Sequence, residues 1–288
     1  MIGFGYIPDY KNKNKLLDFL FRIIGYPYLP KRMEAQKTLK LLKIKKSDKI
    51  LDIGCGDGLW TNFLKMKGYN IIGIDPSKQA LGIAKKRAKL MGINNVCFFG
   101  DARKMKFKSN SFDKIFSTSV FEHIQNDDKA FKESFRVLKK GGFFSLSVAG
   151  EDVPFFTNFL VKLPKKIKKK IGSKLMIESE SAEDFKKKFD KKYCHYQVYN
   201  EEFLIKKAEK TGFKVIKIKR VVGTFTQLAG IFHFFKIFNL NKSYSLDYSL
   251  KTKIAYALIT PLILLTYILD SFLPKTRALS LVMLLKKE

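Results

Sequence analysis

The chain of 288 residues is short of acid, cysteine and histidine. Its three cysteines, Cys55, Cys97 and Cys194, are an odd number at wide spacing. No disulfide framework is expected, which suits a reducing cytosol, and no pair has the spacing of a metal site. Three histidines, His123, His195 and His233, are all the chain offers for imidazole chemistry. The first 18 residues carry Gly, Pro and Asp where a signal peptide needs an apolar core, so no cleaved secretory signal is expected. No internal repeat of fixed period is visible. The scarcity of acid leaves 26 Asp and Glu against 56 Lys and Arg, a net charge of +30. A surplus of this size bears on partners rather than on fold: nucleic acid, an anionic membrane face or an acidic substrate, with lysine-favouring codon usage as the alternative.

What is present suffices for a core. Apolar residues make up 46% of the chain, enough for one α/β domain with insertions. Residues 1–48 read as an N-terminal helical cap, with an apolar segment from Leu16 to Ile24 and a second helix from Lys31 to Ile44. Strand and helix then alternate. Strands are expected at Lys49–Ile53, Asn70–Asp75, Val96–Phe99, Phe112–Ser119 and Phe143–Val148. Helices are expected at Leu59–Lys67, from the N-cap Ser77 to Gly92, and from a cap at Asp127 or Asp128 to a stop before Gly141 and Gly142. Short apolar runs separated by helical patterns predict βαβ units and a mainly parallel sheet over residues 49–149. Residues 150–199 read as a basic and apolar insertion. A core helix and strand follow at 200–222, an apolar insertion at 223–275, and the last core strand at 276–288.

The segment LDIGCGDG, residues 51–58, follows a strand and opens a helix. Glycines at 54, 56 and 58 permit close approach of a ligand to the backbone, and the helix start supplies free N–H groups. A dinucleotide fingerprint needs its third glycine at position 59, which is Leu59. Asp52 beside the loop would repel a pyrophosphate and welcome a cation.

On these residues the chain resembles the class I S-adenosylmethionine-dependent methyltransferases, and four further segments follow in that family's order: IIGIDPS (71–77), FFGDARKMKF (98–107), FDKIFSTSVFEHI (112–124) and RVLKKGGFFSLSV (136–148). The resemblance is to the small-molecule, type 11-like branch. It implies a Rossmann-like sheet with an antiparallel last strand inserted beside the fifth, and S-adenosylmethionine as cofactor. It also implies a cofactor site at Asp52, Gly54, Cys55, Gly56 and Gly58, Asp75 with Pro76 at the ribose, Asp101 with Ala102 at the adenine, and Ser117 at the end of the fourth strand. Cys55 is expected to offer its backbone rather than its thiol, and Trp60 to pack.

Methyl transfer from a sulfonium is an in-line displacement that gains from a base without requiring one. His123 is the first candidate base, because it lies past the fourth strand at the carboxyl edge where open α/β sheets place ligands. The alternative is a structural histidine. His195 is the second candidate, with Tyr193, Tyr196 and Tyr199 as possible neighbours in one pocket or as ordinary packing. No metal is expected. No D/N-P-P-Y motif follows the fourth strand and no Pro-Cys nucleophile is present, so nucleic-acid modification lacks its most specific markers. Seven lysines in Lys162–Lys174 follow an apolar stretch, and the runs Phe225–Leu240 and Ile254–Leu273 are almost free of charge. These features suit an anionic membrane surface and a hydrophobic or amphiphilic acceptor. Lysines on both sides of Ile254–Leu273 predict helices that dip into one leaflet or form a hairpin, leaving the protein on the cytoplasmic side of the cell membrane; a soluble cytoplasmic protein with an apolar lid is the alternative. An RNA methyltransferase using the basic surface, and a membrane-attached binding protein with a degenerate fold, remain the competing functions.

Overall fold

The computed structural model describes residues 29–151, 161–166, 178–221 and 280–288, with Leu265 and Leu269. In chain order its elements are α1 (Leu29–Leu42), β1 (Lys49–Ile53), α2 (Leu59–Met66), β2 (Asn70–Asp75), α3 (Lys78–Leu90), β3 (Cys97–Phe99) and β4 (Phe112–Thr118). A 3₁₀ turn (Phe121–His123) leads to α4 (Asp127–Val137), β5 (Leu138–Ala149), α5 (Ala182–Lys192), α6 (Glu201–Lys210), β6 (Phe213–Val221) and β7 (Ser280–Lys287).

Among the described residues the strands form one sheet in the order β3-β2-β1-β4-β5-β7-β6. The first five pair in parallel. β7 inserts between β5 and β6 and runs antiparallel to both, as the family resemblance implied. Its sequence SLVMLLKK is buried from Ser280 to Leu285, because a strand flanked on both sides and covered on both faces has little solvent side. Strand order reverses between β1 and β4, so their carboxyl ends open the crevice where such sheets receive ligands.

Local chemistry sets the element ends. The Ser77 hydroxyl accepts the Ala80 N–H at 3.1 Å and caps α3 as expected, and the Asn200 side chain accepts the Phe203 N–H at 2.8 Å to cap α6. Two expectations need correction. Asp127 and Asp128 do not cap α4; Asn126 holds that position with a left-handed backbone (φ 62°) and no side-chain cap bond. Asp127 instead points inward, paired with Lys207 Nζ at 2.5 Å and accepting from the Tyr199 hydroxyl, so a tertiary partner outcompetes the local one. β5 also begins at Leu138 rather than Phe143, with a shift of register between Phe112 and Lys114 that absorbs the glycine pair.

The N-terminal helix is fastened over the sheet by a buried carboxylate. Glu34 of α1 accepts from the Ser119 hydroxyl at 2.8 Å, just past β4, and from the Ser280 hydroxyl at the start of β7. The apolar segment Leu16–Ile24, most of Lys162–Lys174, and the runs Phe225–Leu240 and Ile254–Leu273 lie outside the described residues apart from Leu265 and Leu269. Among the described residues no helix is long and apolar enough to cross a membrane.

Candidate functional site

The glycine loop between β1 and α2 uses its three glycines in three ways. A Cβ built on Gly54 (φ +77°) would lie 2.3 Å from Val120 Cγ2, so this glycine lets the loop pack directly on the turn after β4. At Gly58 a Cβ would meet Ala84 Cβ and Asn62 Nδ2, both at 2.8 Å, which draws α3 and α2 together. At Gly56 (φ +52°) a Cβ would meet nothing within 4 Å. Gly56 therefore leaves open space in the loop that leads into α2, room for a ligand to lie close to the backbone. Gly54→Ala is expected to lower stability by about 2–3 kcal/mol, combining left-handed backbone strain with overpacking. In urea unfolding, Val120→Ala added to Gly54→Ala should recover the packing part and leave the backbone part; no recovery would mean the contact with Val120 is slack.

The acids of the site sit at successive strand ends. Asp75, at the end of β2, accepts the Gly56 N–H on Oδ2 at 2.9 Å and the Ser77 N–H on Oδ1 at 2.8 Å. It therefore holds the glycine loop against the start of α3. The Gly100 N–H donates to the Asp75 carbonyl at 3.2 Å, which brings the loop after β3 alongside. Asp101 in that loop pairs with Arg103 at 2.7 Å, and the guanidinium holds its carboxyl below the usual carboxylate range. Any ligand donor at Asp101 shares the carboxylate with Arg103. Asp52 lies beneath the loop, buried, and accepts from the Thr61 hydroxyl at 2.5 Å. Burial pushes its pKa up to about 7; the Thr61 bond opposes the shift and the Asp75 charge adds to it.

Other predicted members face inward. The Ser117 hydroxyl is buried and donates to the Ile53 carbonyl at 2.9 Å, a side-chain bond between β4 and β1 at their carboxyl ends. Ala102 packs in the main core. The Cys55 side chain turns away from the crevice onto Cys97 and Ala84, leaving its backbone to the loop, and the Cys97 thiol beside it together with burial pushes the Cys55 thiol up. Trp60 packs edge-on against Phe63. Pro76 separates Asp75 from the α3 cap.

The two candidate histidines meet. Phe121 is fully buried against Phe131 and Phe144, which anchors the 3₁₀ turn and leaves His123 exposed at its end. Opposite this turn the Tyr196 and Gln197 N–H groups donate to the Glu122 carbonyl at 2.7 and 3.3 Å. Tyr199 continues the docking through a bridge to Gly150. The His123 and His195 rings are 4.8 Å apart in edge contact. Tyr193 and Tyr196 are exposed on either side of His195, whereas Tyr199 is buried in the core. Sequence reasoning missed Thr61, Val120 and Asp190. The last of these, five residues before His195, bonds to its ring.

Residues 51–146 match the family model described as "Methyltransferase domain". The chain is 34% identical over 106 residues to a sterol 24-C-methyltransferase of Aspergillus fumigatus, covering 36% of this chain and 28% of that protein. It is 30% identical over 136 residues to a ubiquinone biosynthesis O-methyltransferase of Pelagibacter ubique, covering 45% and 56%. It thus spans little more than half, or less, of the curated relatives it matches. Among solved structures it resembles a Haemonchus contortus phosphoethanolamine N-methyltransferase with S-adenosyl-L-methionine bound, at a TM-score of 0.59 and 22% identity over all of this chain and 60% of that one. Residues 51–146 thus match a methyltransferase domain, and the sheet that carries them has the mainly parallel Rossmann-like arrangement, with the antiparallel β7 beside β5, that the class I resemblance implied.

Proposed function

We propose that the chain transfers a methyl group from S-adenosylmethionine to a lipid-like acceptor. The observation that carries this reading is the glycine loop after β1, where the Gly56 N–H is held by the Asp75 carboxylate at the end of β2 and the Gly56 Cβ position is open. The residues fit the cofactor. Asp75 would take the ribose hydroxyls, Pro76 would lie against the ribose, and Asp101 with the Ala102 backbone would receive the adenine. The loop from Gly54 through Cys55 to Gly58 would follow the amino-acid part, and Asp52 would complement its positive charge. When bound, the cofactor supplies a methyl carbon with its own leaving group, so the protein's task is alignment and, where the acceptor needs it, removal of a proton.

The acceptor reading rests on two supports. Several similar proteins are named for sterol or quinone acceptors. The chain itself carries apolar segments almost free of charge at Phe225–Leu240 and Ile254–Leu273, and a lysine-rich run at Lys162–Lys174. Such a combination suits an anionic membrane face on the cytoplasmic side. Co-sedimentation with phosphatidylglycerol vesicles and not with phosphatidylcholine vesicles is the expected result.

Asp75→Ala is expected to weaken S-adenosylmethionine binding by about 1.5–3 kcal/mol, the range for hydrogen bonds to a charged group. Calorimetry on the purified protein measures it, and unchanged affinity would remove Asp75 from the site. Transfer of labelled methyl from the cofactor to a total lipid extract of the source cells tests the acceptor class. Label confined to the aqueous phase would sink it.

A further inference from the structure

The histidine pair continues into a third and a fourth group. His195 Nδ1 is 2.8 Å from Asp190 Oδ1 on α5. Both Asp190 oxygens also accept from Lys186 Nζ, at 2.7 and 2.6 Å. A carboxylate only accepts, so His195 carries its proton on Nδ1 and its remaining lone pair is on Nε2. The same reasoning applies to His123. Its Nδ1 lies 3.3 Å from the Cys194 carbonyl, which also only accepts, so Nε2 is the basic nitrogen of the neutral ring. The His195, Asp190 and Lys186 side chains are largely buried, at 9%, 14% and 14% exposure, while His123 is exposed. One end of the array is shielded and fixed, and the other reaches solvent beside the turn on which Gly54 packs.

A Lys–Asp pair one helical turn apart forms on any helix surface and contributes little by itself. What distinguishes this pair is that it also seizes the ring of His195, and that ring rests against His123. Resting on the reading that the chain transfers a methyl group, we propose that Asp190 and His195 are positioning residues that hold His123 as the proton acceptor for a hydroxyl-bearing acceptor. The hydroxyl oxygen forms its bond to the methyl carbon as the carbon–sulfur bond breaks, and that electron pair leaves on sulfur. The hydroxyl proton passes to His123 Nε2, and the exposed imidazolium returns it to water. Asp190, itself paired with Lys186, fixes the ring of His195 through Nδ1, and the edge of that ring holds His123 in place. A free amine needs no base before attack, and an alkene carbon has no acidic proton to give; a phenol or enol gains most from one. Tyr193 and Tyr196, next to Cys194 and His195 in the chain, are exposed and supply aromatic surface that suits a flat acceptor.

The test uses the full-length protein labelled with ¹⁵N-histidine. Long-range ¹H–¹⁵N spectra of the wild type should show both rings protonated on Nδ1. Asp190→Asn offers a donor as well as an acceptor, so His195 should become a mixture of tautomers and the His123 signals should move with it. Asp190→Glu, the conservative variant, should restore the Nδ1 form. Labelled methyl transfer to the lipid extract should fall by about 10- to 100-fold in Asp190→Asn, within the range for loss of a positioned base, while the KM for S-adenosylmethionine stays within about twofold. Mass spectrometry should show the product methylated on oxygen. Histidine spectra unchanged by Asp190→Asn, or a product methylated on carbon or nitrogen, would overturn the proposal. Absence of any lipid labelling by the wild type would count against the methyl-transfer reading alone, because the ring signals are read without an acceptor.

Discussion

Arg87→Met should lower stability by about 3–5 kcal/mol, the range for removing one partner of a buried ion pair. Arg87 is the largest fully buried side chain of the described residues, although it stands in a stretch of α3, KKRAK, that reads as a solvated basic face. Its Nη2 meets Asp57 Oδ2 at 2.8 Å and its Nε donates to the Asp57 carbonyl at 3.1 Å. Asp57 belongs to the glycine loop, and its Oδ1 accepts the Leu59 N–H at the start of α2. The guanidinium therefore ties α3 to the loop. Methionine matches the length of the arginine stem but leaves the Asp57 carboxylate, 16% exposed, without its countercharge. Asp57→Asn added to Arg87→Met removes that stranded charge and should recover about half of the loss. Urea unfolding of the two variants measures both effects. A single variant within about 1 kcal/mol of the wild type would show that the loop holds its shape without the clamp.

Stability should also fall by about 4 kcal/mol between pH 4 and pH 7 on account of Asp52 alone, the free-energy equivalent of raising its carboxyl from 3.8 to about 7. The sign follows from proton counts. Below about pH 4 the carboxyl is protonated in both folded and unfolded chains and makes no difference. Between 4 and 7 the unfolded chain releases the proton and the folded chain keeps it, so rising pH favours unfolding. Above about 7 both are ionised and the loss is complete. Asp52→Asn keeps an acceptor for Thr61 and cannot ionise, so it should flatten this part of the stability profile and stabilise the ligand-free protein at pH 8. Cofactor binding should run the other way. A cationic ligand beside Asp52 favours the carboxylate, so affinity should rise with pH up to about 7, by at most tenfold per unit, and binding near pH 6 should release a proton. Calorimetry in buffers of different ionisation heat counts that proton. Equal pH profiles for wild type and Asp52→Asn would place the titration elsewhere.

Part of this site was legible in the amino-acid order. The loop 51–58, the acids closing β2 and following β3, and the cap Ser77 all act through neighbours within a few residues. Their spacing therefore carries the information. The mainly parallel sheet was legible for the same reason, since alternating apolar runs and helical patterns are local. Even the antiparallel position of the last strand followed from the family resemblance. Hydroxyl and carboxylate fates were not legible. The Ser117 hydroxyl donates to the Ile53 carbonyl on the neighbouring strand; Asp127 reads as a cap and is spent on Lys207 and Tyr199.

The sequence by itself determined the class of fold, the succession of strands and helices in its parallel part and the cofactor loop, because each depends on short-range pattern: strand period, helix start and glycine position. Only the tertiary structure decided that Arg87 is buried under the loop, that Asp52 sits deep enough to titrate near neutrality, and that His123 and His195 share one edge with Asp190 behind them. These are contacts between segments brought together by the sheet and by the docking of residues 193–199 on the turn after β4. Burial and partnership at such distances depend on which surfaces meet, and no periodicity along the chain records that.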